Sequence, residues 1–153
     1  LPPAAAVTAG RVLLQRVVFN LVGNAFEALV PTLASAPPGP AERPPGVAAP
    51  APVIEVGTRC ESRHGVDHAV VRVTDNGPGL PEAYLGRQFE PFHTQRAEGV
   101  GLGLALARLV LESWGGHLEA RNRTGEGCSG AIVELWLPLA PPIGTGPADT
   151  GNS

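Results

Sequence analysis

The sequence predicts an α+β fold, a two-layer α/β sandwich in which a mixed, mainly antiparallel sheet carries helices on one face. Its regular segments follow one another as helix, two strands, helix and two strands. Consecutive strands with short connections pair mainly antiparallel, so the helices gather on one side of their sheet. A length of 153 residues also suits one domain whose core needs neither disulfides nor metals.

Two main helices are predicted from the spacing of apolar residues. The first spans Arg11–Val30, where apolar residues recur at helical spacing along one face. The second spans Leu102–Trp114 and is strongly apolar, and Gly115–Gly116 directly after it is a stop signal. A short additional helix is predicted over Pro81–Gln88.

Four strands are predicted as short segments that are rich in apolar and β-branched residues and bounded by turn residues. The second of them shows the alternation of apolar and polar side chains that is typical of a half-buried strand. The predicted strands are Val53–Arg59, His68–Thr74, His117–Asn122 and Ala131–Leu137.

One domain is expected over residues 1–139, interrupted by a flexible insertion at residues 31–52. The insertion contains eight prolines and six alanines, a composition that breaks helices and lacks the apolar bulk of a core. Residues 140–153 are interpreted as a disordered tail or linker. Because the chain has no methionine, even at position 1, we expect it to be a segment of a longer protein.

Composition and charge exclude several classes of protein. The net charge of −3 leaves no broad basic field, so no nucleic-acid partner is expected. Cys60 and Cys128 are isolated in the sequence and are interpreted as reduced structural thiols. No stretch is expected to approach the length of a membrane span, because charges or glycines interrupt every apolar run, and no signal peptide opens the chain. We therefore expect a cytoplasmic location with no membrane contact by this segment, whether or not the parent protein is anchored in a membrane.

Two asparagines, Asn20 and Asn24, lie four residues apart and therefore share a face of the first helix. An unpaired buried amide costs about 1–3 kcal/mol, so two of them on an apolar face require polar partners. Neighbouring loops are one possible source of those partners. The other is a ligand, because a side-chain amide oxygen is a hard donor suited to magnesium.

The segment Asp75–Gly79 reads Asp-Asn-Gly-Pro-Gly and directly follows a predicted strand. A hairpin turn is one interpretation, but the residues after it do not continue as an alternating strand. The other interpretation is a carboxylate beside a backbone that Gly77 and Gly79 leave open to a ligand. Asp75 can accept a hydrogen bond there, for example from the exocyclic amine of adenine.

A second glycine-rich segment, Gly99–Gly103, runs directly into the second helix. Free N–H groups and the helix dipole favour phosphate at such a position, although a flexible hinge is the alternative interpretation. The segment is not a P-loop, because no Gly-Lys-Ser/Thr follows, and it lacks the third glycine of the dinucleotide fingerprint.

Two aromatic residues flank a proline in Phe89–Arg96. This pattern indicates either a small hydrophobic cluster or the apolar anchor of a mobile lid. Arg96 precedes the second glycine-rich segment and can reach a terminal phosphate, although a solvated arginine is the commoner case.

The order of these motifs resembles the catalytic domain of sensor histidine kinases. Asn-x3-Asn-Ala, Asp-x-Gly-x-Gly, Phe-x-Pro-Phe and Gly-x-Gly-x-Gly are similar to the N, G1, F and G2 boxes of that family. Gly127–Ala131, before the last strand, is similar to the last glycine box. The resemblance covers about residues 7–139 and implies the Bergerat ATP-binding fold, which gyrase B subunits, heat-shock chaperone ATPases and mismatch-repair ATPases share.

The resemblance implies a site for ATP and Mg²⁺. In it Asn24 would ligate magnesium, and Asn20 would lie beside the phosphates as a catalytic residue. Asp75 would bind the adenine amine in a pocket shaped by Gly77 and Gly79.

The resemblance also implies a mobile ATP lid from about Leu80 to Gly101. Thr94 and Arg96 would lie within this lid, with Arg96 as a second catalytic residue. The residues near the phosphates would be Gly99, Gly101, Leu102 and Gly103.

Asn20 separates this chain from the ATP-hydrolysing members of the superfamily. Those members carry a glutamate one helical turn before the magnesium asparagine, whereas an amide cannot act as a general base. The resemblance therefore implies phosphoryl transfer to a histidine on a separate phosphoacceptor and dimerisation domain, with a response regulator as the downstream partner. The four histidines of this chain are not acceptor candidates, because none begins a His-Glu pair on a long helix.

Three residues depart from the pattern of the family. Gly10 stands where an aspartate is common, Val100 where a threonine or serine is common, and Arg96 where a lysine is common. Val100 removes a hydroxyl that can touch a phosphate. These departures leave an ATP-binding regulatory module or a pseudokinase as one alternative to a kinase. An ATPase of the same superfamily is the other alternative.

Overall fold

The computed structural model describes residues 6–34, 51–80, 100–125 and 128–140. Within them, four strands form one sheet in the order β1-β2-β4-β3, and every neighbouring pair is antiparallel. The elements are α1 (Arg11–Ala34), β1 (Ile54–Arg63), β2 (Val66–Asp75), α2 (Val100–Ser113), β3 (His117–Asn122) and β4 (Ala131–Pro138). The predicted α+β fold is confirmed, with the sheet wholly antiparallel among these strands.

Helix α1 continues one turn beyond its predicted end, through Pro31 to Ala34. The prediction that residues 31–52 cannot be helical is therefore wrong for its first four residues, Pro31–Ala34. A proline has a fixed φ near the helical value, so its cost is a lost hydrogen bond and crowding of the preceding turn. Residues 35–50 and the predicted helix over residues 81–88 lie outside the described residues.

A tight hairpin joins β1 to β2 through His64 and Gly65. Both residues have positive φ, 52° and 77°, as a type I′ turn requires, and this turn matches the twist of the strands. The pairing therefore reaches Arg63 and Val66 at the turn itself. For this reason both strands are longer than the sequence predicted, whereas β3 has its predicted bounds.

The core lies between the two helices and one face of the sheet. The buried residues of α1 recur at the predicted spacing, and those of the strands share one side of the pleat. The cluster consists of Val17, Leu21, Ala25, Val73, Ala107, Leu111, Leu118, Leu135 and Leu137. At the end of α2, a side chain on Gly116 would overlap the carbonyl of Trp136, so only glycine lets the chain turn into β3.

The outer face of the sheet carries a closed network of charges around Glu134. This residue is 2% exposed, and its carboxylate contacts Arg59 at 2.9 Å, Arg72 at 2.5 Å and Arg121 at 3.2 Å. Burial alone would raise the pKa of Glu134, but the hydrogen bonds from these arginines outweigh it and lower the pKa to about 2. Beside this network the guanidinium of Arg63 lies 4.0 Å from the ring centre of Trp136.

The prediction that no apolar run reaches the length of a membrane span is wrong for α1. Residues Arg11–Pro31 form a helical stretch of 21 residues with a mean hydropathy of 1.2, long and apolar enough by these criteria alone. The core helix of a soluble domain passes the same test, and Val17, Leu21 and Ala25 of this helix pack against the sheet.

Candidate functional site

A pocket opens between α1, the start of α2 and the ends of β2 and β4. Its walls are mainly apolar, and Asn24 and Asp75 are the polar side chains among the described residues that line it. Small-molecule sites commonly combine apolar walls with a few polar groups in this way. The lining residues are Leu21, Asn24, Ala25, Ala28, Val73, Asp75, Gly79, Leu80, Leu104, Ala131 and Val133.

Asp75 is the last residue of β2 and is 5% exposed. Its Oδ1 accepts hydrogen bonds from the backbone N–H of Gly77, at 2.8 Å, and of Ala131, at 3.2 Å. Its Oδ2 makes no hydrogen bond with any described residue. The carboxylate is therefore held by one oxygen, while the other remains available to a donor in the pocket.

Asn24 carries a polar atom that is buried and lacks a partner. Its Nδ2 makes no hydrogen bond within the described part of the chain. Because a half-turn about the Cβ–Cγ bond exchanges the amide nitrogen and oxygen, either atom can occupy this position. The sequence indicated that Asn24 requires a polar partner. No described residue supplies a partner for its Nδ2, so that partner is a ligand or a residue outside the described part of the chain.

Asn20 lies one turn before Asn24 and faces the first turn of α2. Its Cγ lies 3.7 Å from the position that a Cβ on Gly103 would take, which is ordinary van der Waals contact. The structure thus brings together two of the predicted site residues from different helices. Asn20 is half-buried but is not among the residues that line the pocket.

The sequence argued against a hairpin turn after Asp75, and the structure agrees, because both edges of β2 are already paired, one with β1 and the other with β4. Gly79 has a φ of +84°, and a Cβ there would lie 2.8 Å from Oδ1 of Asn122. A Cβ on Gly77 would lie 3.0 Å from Oδ1 of Asp75 and 3.3 Å from the carbonyl oxygen of Ala28. Both glycines are therefore needed for close packing of the loop.

Helix α2 begins at Val100, two residues before its predicted start. Gly101, Leu102 and Gly103 therefore lie within its first turn, where backbone N–H groups have no partner inside the helix. The side chains of residues 100–102 are outside the described part of the structure. Thr94, Arg96 and Gly99 also lie outside the described residues, so their predicted roles remain predictions.

The structural roles of two residues in this region, Asn122 and Gly130, were not predicted from the sequence. Asn122 accepts a hydrogen bond from the N–H of Leu80, at 2.6 Å, and donates one to its carbonyl, at 2.9 Å. Gly130 has a φ of +118°, and a side chain there would overlap the carbonyl of Asp75. One feature of the sequence could have indicated the role of Asn122. It is a polar residue at a position of β3 that faces the core, on the same side as Leu118 and Ala120.

Comparison with known proteins identifies the family. A model of the family described as histidine kinase-, DNA gyrase B- and HSP90-like ATPase (HATPase_c) matches residues 9–141. The chain belongs to this family. Among curated HATPase_c relatives, sensor protein CutS of Streptomyces coelicolor is 34% identical over 142 residues, which cover 89% of this chain and 28% of CutS. Two-component sensor PprA of Pseudomonas aeruginosa is 36% identical over 135 residues, 87% of this chain and 12% of PprA.

Solved structures of histidine kinases share the fold. The mycobacterial sensor histidine kinase MprB superposes with a TM-score of 0.57 and 27% identity, covering 88% of this chain and 78% of that one. The catalytic domain of histidine kinase ThkA gives 0.56 and 26%, covering 87% and 71%. The chain is thus a HATPase_c catalytic domain of the sensor histidine-kinase type, and membership of this family indicates nucleotide binding. The chain spans under a third of the length of CutS and of PprA.

Proposed function

We propose that this domain binds ATP with Mg²⁺ and presents the γ-phosphate to a histidine on a separate phosphoacceptor and dimerisation domain. The observation that carries the proposal is one pocket that contains both the buried carboxylate of Asp75 and the amide of Asn24, whose Nδ2 has no partner among the described residues. A purine amine and a phosphate-bound cation are ligands that these two groups can satisfy together.

The adenine base is assigned to the end of the pocket at Asp75. A carboxylate only accepts hydrogen bonds at neutral pH, so Oδ2 matches the exocyclic amine of adenine and repels the carbonyl that guanine has there. Two backbone N–H groups fix the other oxygen, which holds the acceptor in place before the base arrives. Apolar walls that include Ala28, Val73 and Val133 suit the faces of a purine ring.

The phosphates and the cation are assigned to the end where α1 meets α2. Asn24 would hold Mg²⁺ through its amide oxygen, and Asn20 would lie beside the phosphates, near Gly103. The free N–H groups at the start of α2 are suited to phosphate oxygens. Mg²⁺ would neutralise charge on the phosphates. Catalysis of phosphoryl transfer depends mainly on such charge neutralisation and on positioning of the reacting groups. Thr94, Arg96 and Gly99 are proposed to complete this end.

Transfer to a protein histidine is proposed in preference to hydrolysis. Asn20 cannot take a proton from water, so the pocket offers no general base at the position where the ATPases have glutamate. His68 and His117 stand on the outer face of the sheet, against Trp136, and therefore on the opposite side from the pocket. The acceptor histidine is therefore proposed to belong to another domain of the same protein, and a response regulator to receive the phosphoryl group downstream.

A cytoplasmic location accompanies this proposal, because ATP and the response regulator would be met there. A relative of the same fold offers a parallel for the nucleotide: full-length ShkA, with a TM-score of 0.53 and 23% identity, was solved in complex with AMPPNP. At that identity the likeness shows the fold alone, so the nucleotide of this chain is inferred from its own pocket.

Two assays test the proposal in sequence. Binding of an ATP analogue with and without Mg²⁺ is measured by calorimetry, and tight binding that strengthens with Mg²⁺ is expected. The phosphoacceptor domain of the parent protein is then added with radiolabelled ATP, and acid-labile label on its histidine is expected. Tight binding without label on histidine would favour a regulatory module or pseudokinase, and release of inorganic phosphate alone would favour an ATPase.

A further inference from the structure

We propose that Asn122 is a positioning residue for the adenine end of the pocket, an inference that rests on the proposed function. Asn122 does not line the pocket itself, but Leu80, which it holds, does. Its carboxamide would set the depth of the wall formed by Gly79 and Leu80, and hence the space left for the base beside Asp75.

The contact between Asn122 and Leu80 is specific in both directions. The amide oxygen accepts from the Leu80 N–H at 2.6 Å, while the amide nitrogen donates to the Leu80 carbonyl at 2.9 Å. A carboxamide has both a donor and an acceptor, so it can satisfy the two backbone groups of one residue together. Aspartate or leucine at position 122 would lose one or both of these hydrogen bonds.

The end of β3 places Asn122 close to the carboxylate site. Asn122 pairs with Ala131 in the register of β3 and β4, and the N–H of Ala131 donates to Oδ1 of Asp75. The same sheet corner therefore holds the carboxylate through Ala131 and the pocket wall through Asn122.

Gly79 fits against this amide without room for a side chain. A Cβ on Gly79 would come within 2.8 Å of Oδ1 of Asn122 and 3.3 Å of the Gly130 carbonyl oxygen. With a φ of +84°, the residue also adopts a conformation that glycine tolerates best. Backbone conformation and close packing thus fix Gly79, and two hydrogen bonds to Asn122 fix Leu80 directly after it.

The test replaces Asn122 by leucine, which keeps the branch at Cγ but has no hydrogen-bonding group and is larger, and by alanine, which adds no bulk. Affinities for adenosine and for ATP are measured by calorimetry well below the unfolding temperature of each variant. Loss of the positioned wall is expected to weaken both ligands by the same factor, about tenfold. Thr124→Val, an exposed near-isosteric change two residues further on, is the control and is expected to leave both affinities unchanged.

Amide hydrogen exchange at Leu80 supplies a second readout. Exchange of the Leu80 N–H is expected to accelerate in both Asn122 variants, while the amides of β4 retain their protection. A merely structural role would lower the unfolding temperature and leave the affinity of the folded chain unchanged, and that result would overturn the inference. So would a loss confined to ATP, since it would place the effect at the phosphates.

The inference and the proposed function fail in different ways. If the unsubstituted chain binds neither adenosine nor ATP, the proposed function is wrong and Asn122 has no base to position. If that chain binds both ligands and the Asn122 variants bind them equally well, the nucleotide site stands and the positioning role is wrong.

Discussion

The two faces of the sheet differ in what they do with polar groups. On the outer face, Glu134 is buried but paired with Arg59, Arg72 and Arg121. On the helix face, two backbone N–H groups hold one oxygen of Asp75, and Asn24 lies within α1. Each side chain nevertheless keeps a polar atom without a partner among the described residues. Paired charges stabilise a fold, whereas a fixed and unsatisfied polar atom indicates a site for a ligand.

Trp136 qualifies this contrast on the outer face. Its indole Nε1 is also buried without a hydrogen bond in the described part of the chain. Its ring, however, is stacked on His117, with ring centres 5.5 Å apart, and lies under Arg63. The group is covered by neighbouring side chains and is not among the residues that line the pocket, so it differs from Asp75 and Asn24.

The largest expected effect comes from changing the carboxylate of the pocket. Asp75→Asn keeps the size of the side chain, and its oxygen can still accept from Gly77 and Ala131. Its amide nitrogen would then meet the adenine amine, donor against donor, so we expect binding of an ATP analogue to fall about 100-fold. Calorimetry measures the affinity, and circular dichroism is expected to show an unchanged fold.

Asp67→Asn is the matched control for that change. Asp67 carries an exposed carboxylate on the same strand, near the hairpin, and accepts a hydrogen bond from the hydroxyl of Ser62. It is expected to leave nucleotide affinity unaltered. Unchanged affinity in the Asp75 variant would sink the assignment of adenine to this end of the pocket.

On the outer face the expected effect is on stability and not on binding. Because the pKa of Glu134 is lowered to about 2 in the folded state, its contribution is present above the unfolded value of 4.5. It is lost as the pH falls from about 5 towards 2. After allowance for screening by solvent around the half-exposed arginines, we expect about 2 kcal/mol of unfolding free energy to depend on this group.

Glu134→Gln should remove most of that pH dependence, and urea unfolding at pH 6 and pH 3 measures it. Glu112→Gln is the control, because the carboxylate of Glu112 forms an exposed i,i+4 pair with Arg108, for which a small contribution to stability is expected. Equal pH dependence of stability in the Glu134 variant and the unsubstituted chain would show that the network is not the source. Nucleotide affinity is expected to be equal in all three proteins at pH 7.

A smaller effect is expected at the other polar group of the pocket. Asn24→Ala removes the proposed ligand of Mg²⁺, so the increase in ATP affinity on adding Mg²⁺, expected to be about tenfold, should disappear. Gln15→Ala, on an exposed part of the same helix, is the control. If Mg²⁺ strengthens binding equally in the Asn24 variant, the role of Asn24 as a ligand is wrong.

The smallest effect is expected at Gly103. A Cβ there meets Asn20 at 3.7–3.9 Å, which is ordinary contact, so Gly103→Ala should fold normally. Alanine in place of glycine within a helix is expected to raise the unfolding free energy by about 0.5–1 kcal/mol. Thermal unfolding measures this, and a clear destabilisation would show that the contact between α1 and α2 is tighter than described.

The sequence was informative wherever a residue acts through its own type and local spacing. The helical spacing of Val17, Leu21 and Ala25 predicted the core face of α1, and Gly115–Gly116 predicted the end of α2. Asp75 was identified because a carboxylate followed by glycines fails as a hairpin.

What the sequence could not supply depends on contacts between distant segments. Asn122 meets Leu80 across 42 residues, and Gly130 is required because the carbonyl of Asp75 lies where a side chain would be. Glu134 reads as an ordinary polar residue of a strand, because its three arginines come from three other strands. The end of α1 was placed too early because a proline normally ends a helix, although here the helix continues for one more turn.

The central claim is that Oδ2 of Asp75 accepts a hydrogen bond from the amine of adenine. The most direct measurement compares ATP with inosine triphosphate on the unsubstituted chain in the presence of Mg²⁺. Inosine differs at this position by having a carbonyl oxygen in place of the amine, which would face the carboxylate. We expect ATP to bind at least about tenfold more tightly. Equal affinity for the two nucleotides would contradict the assignment.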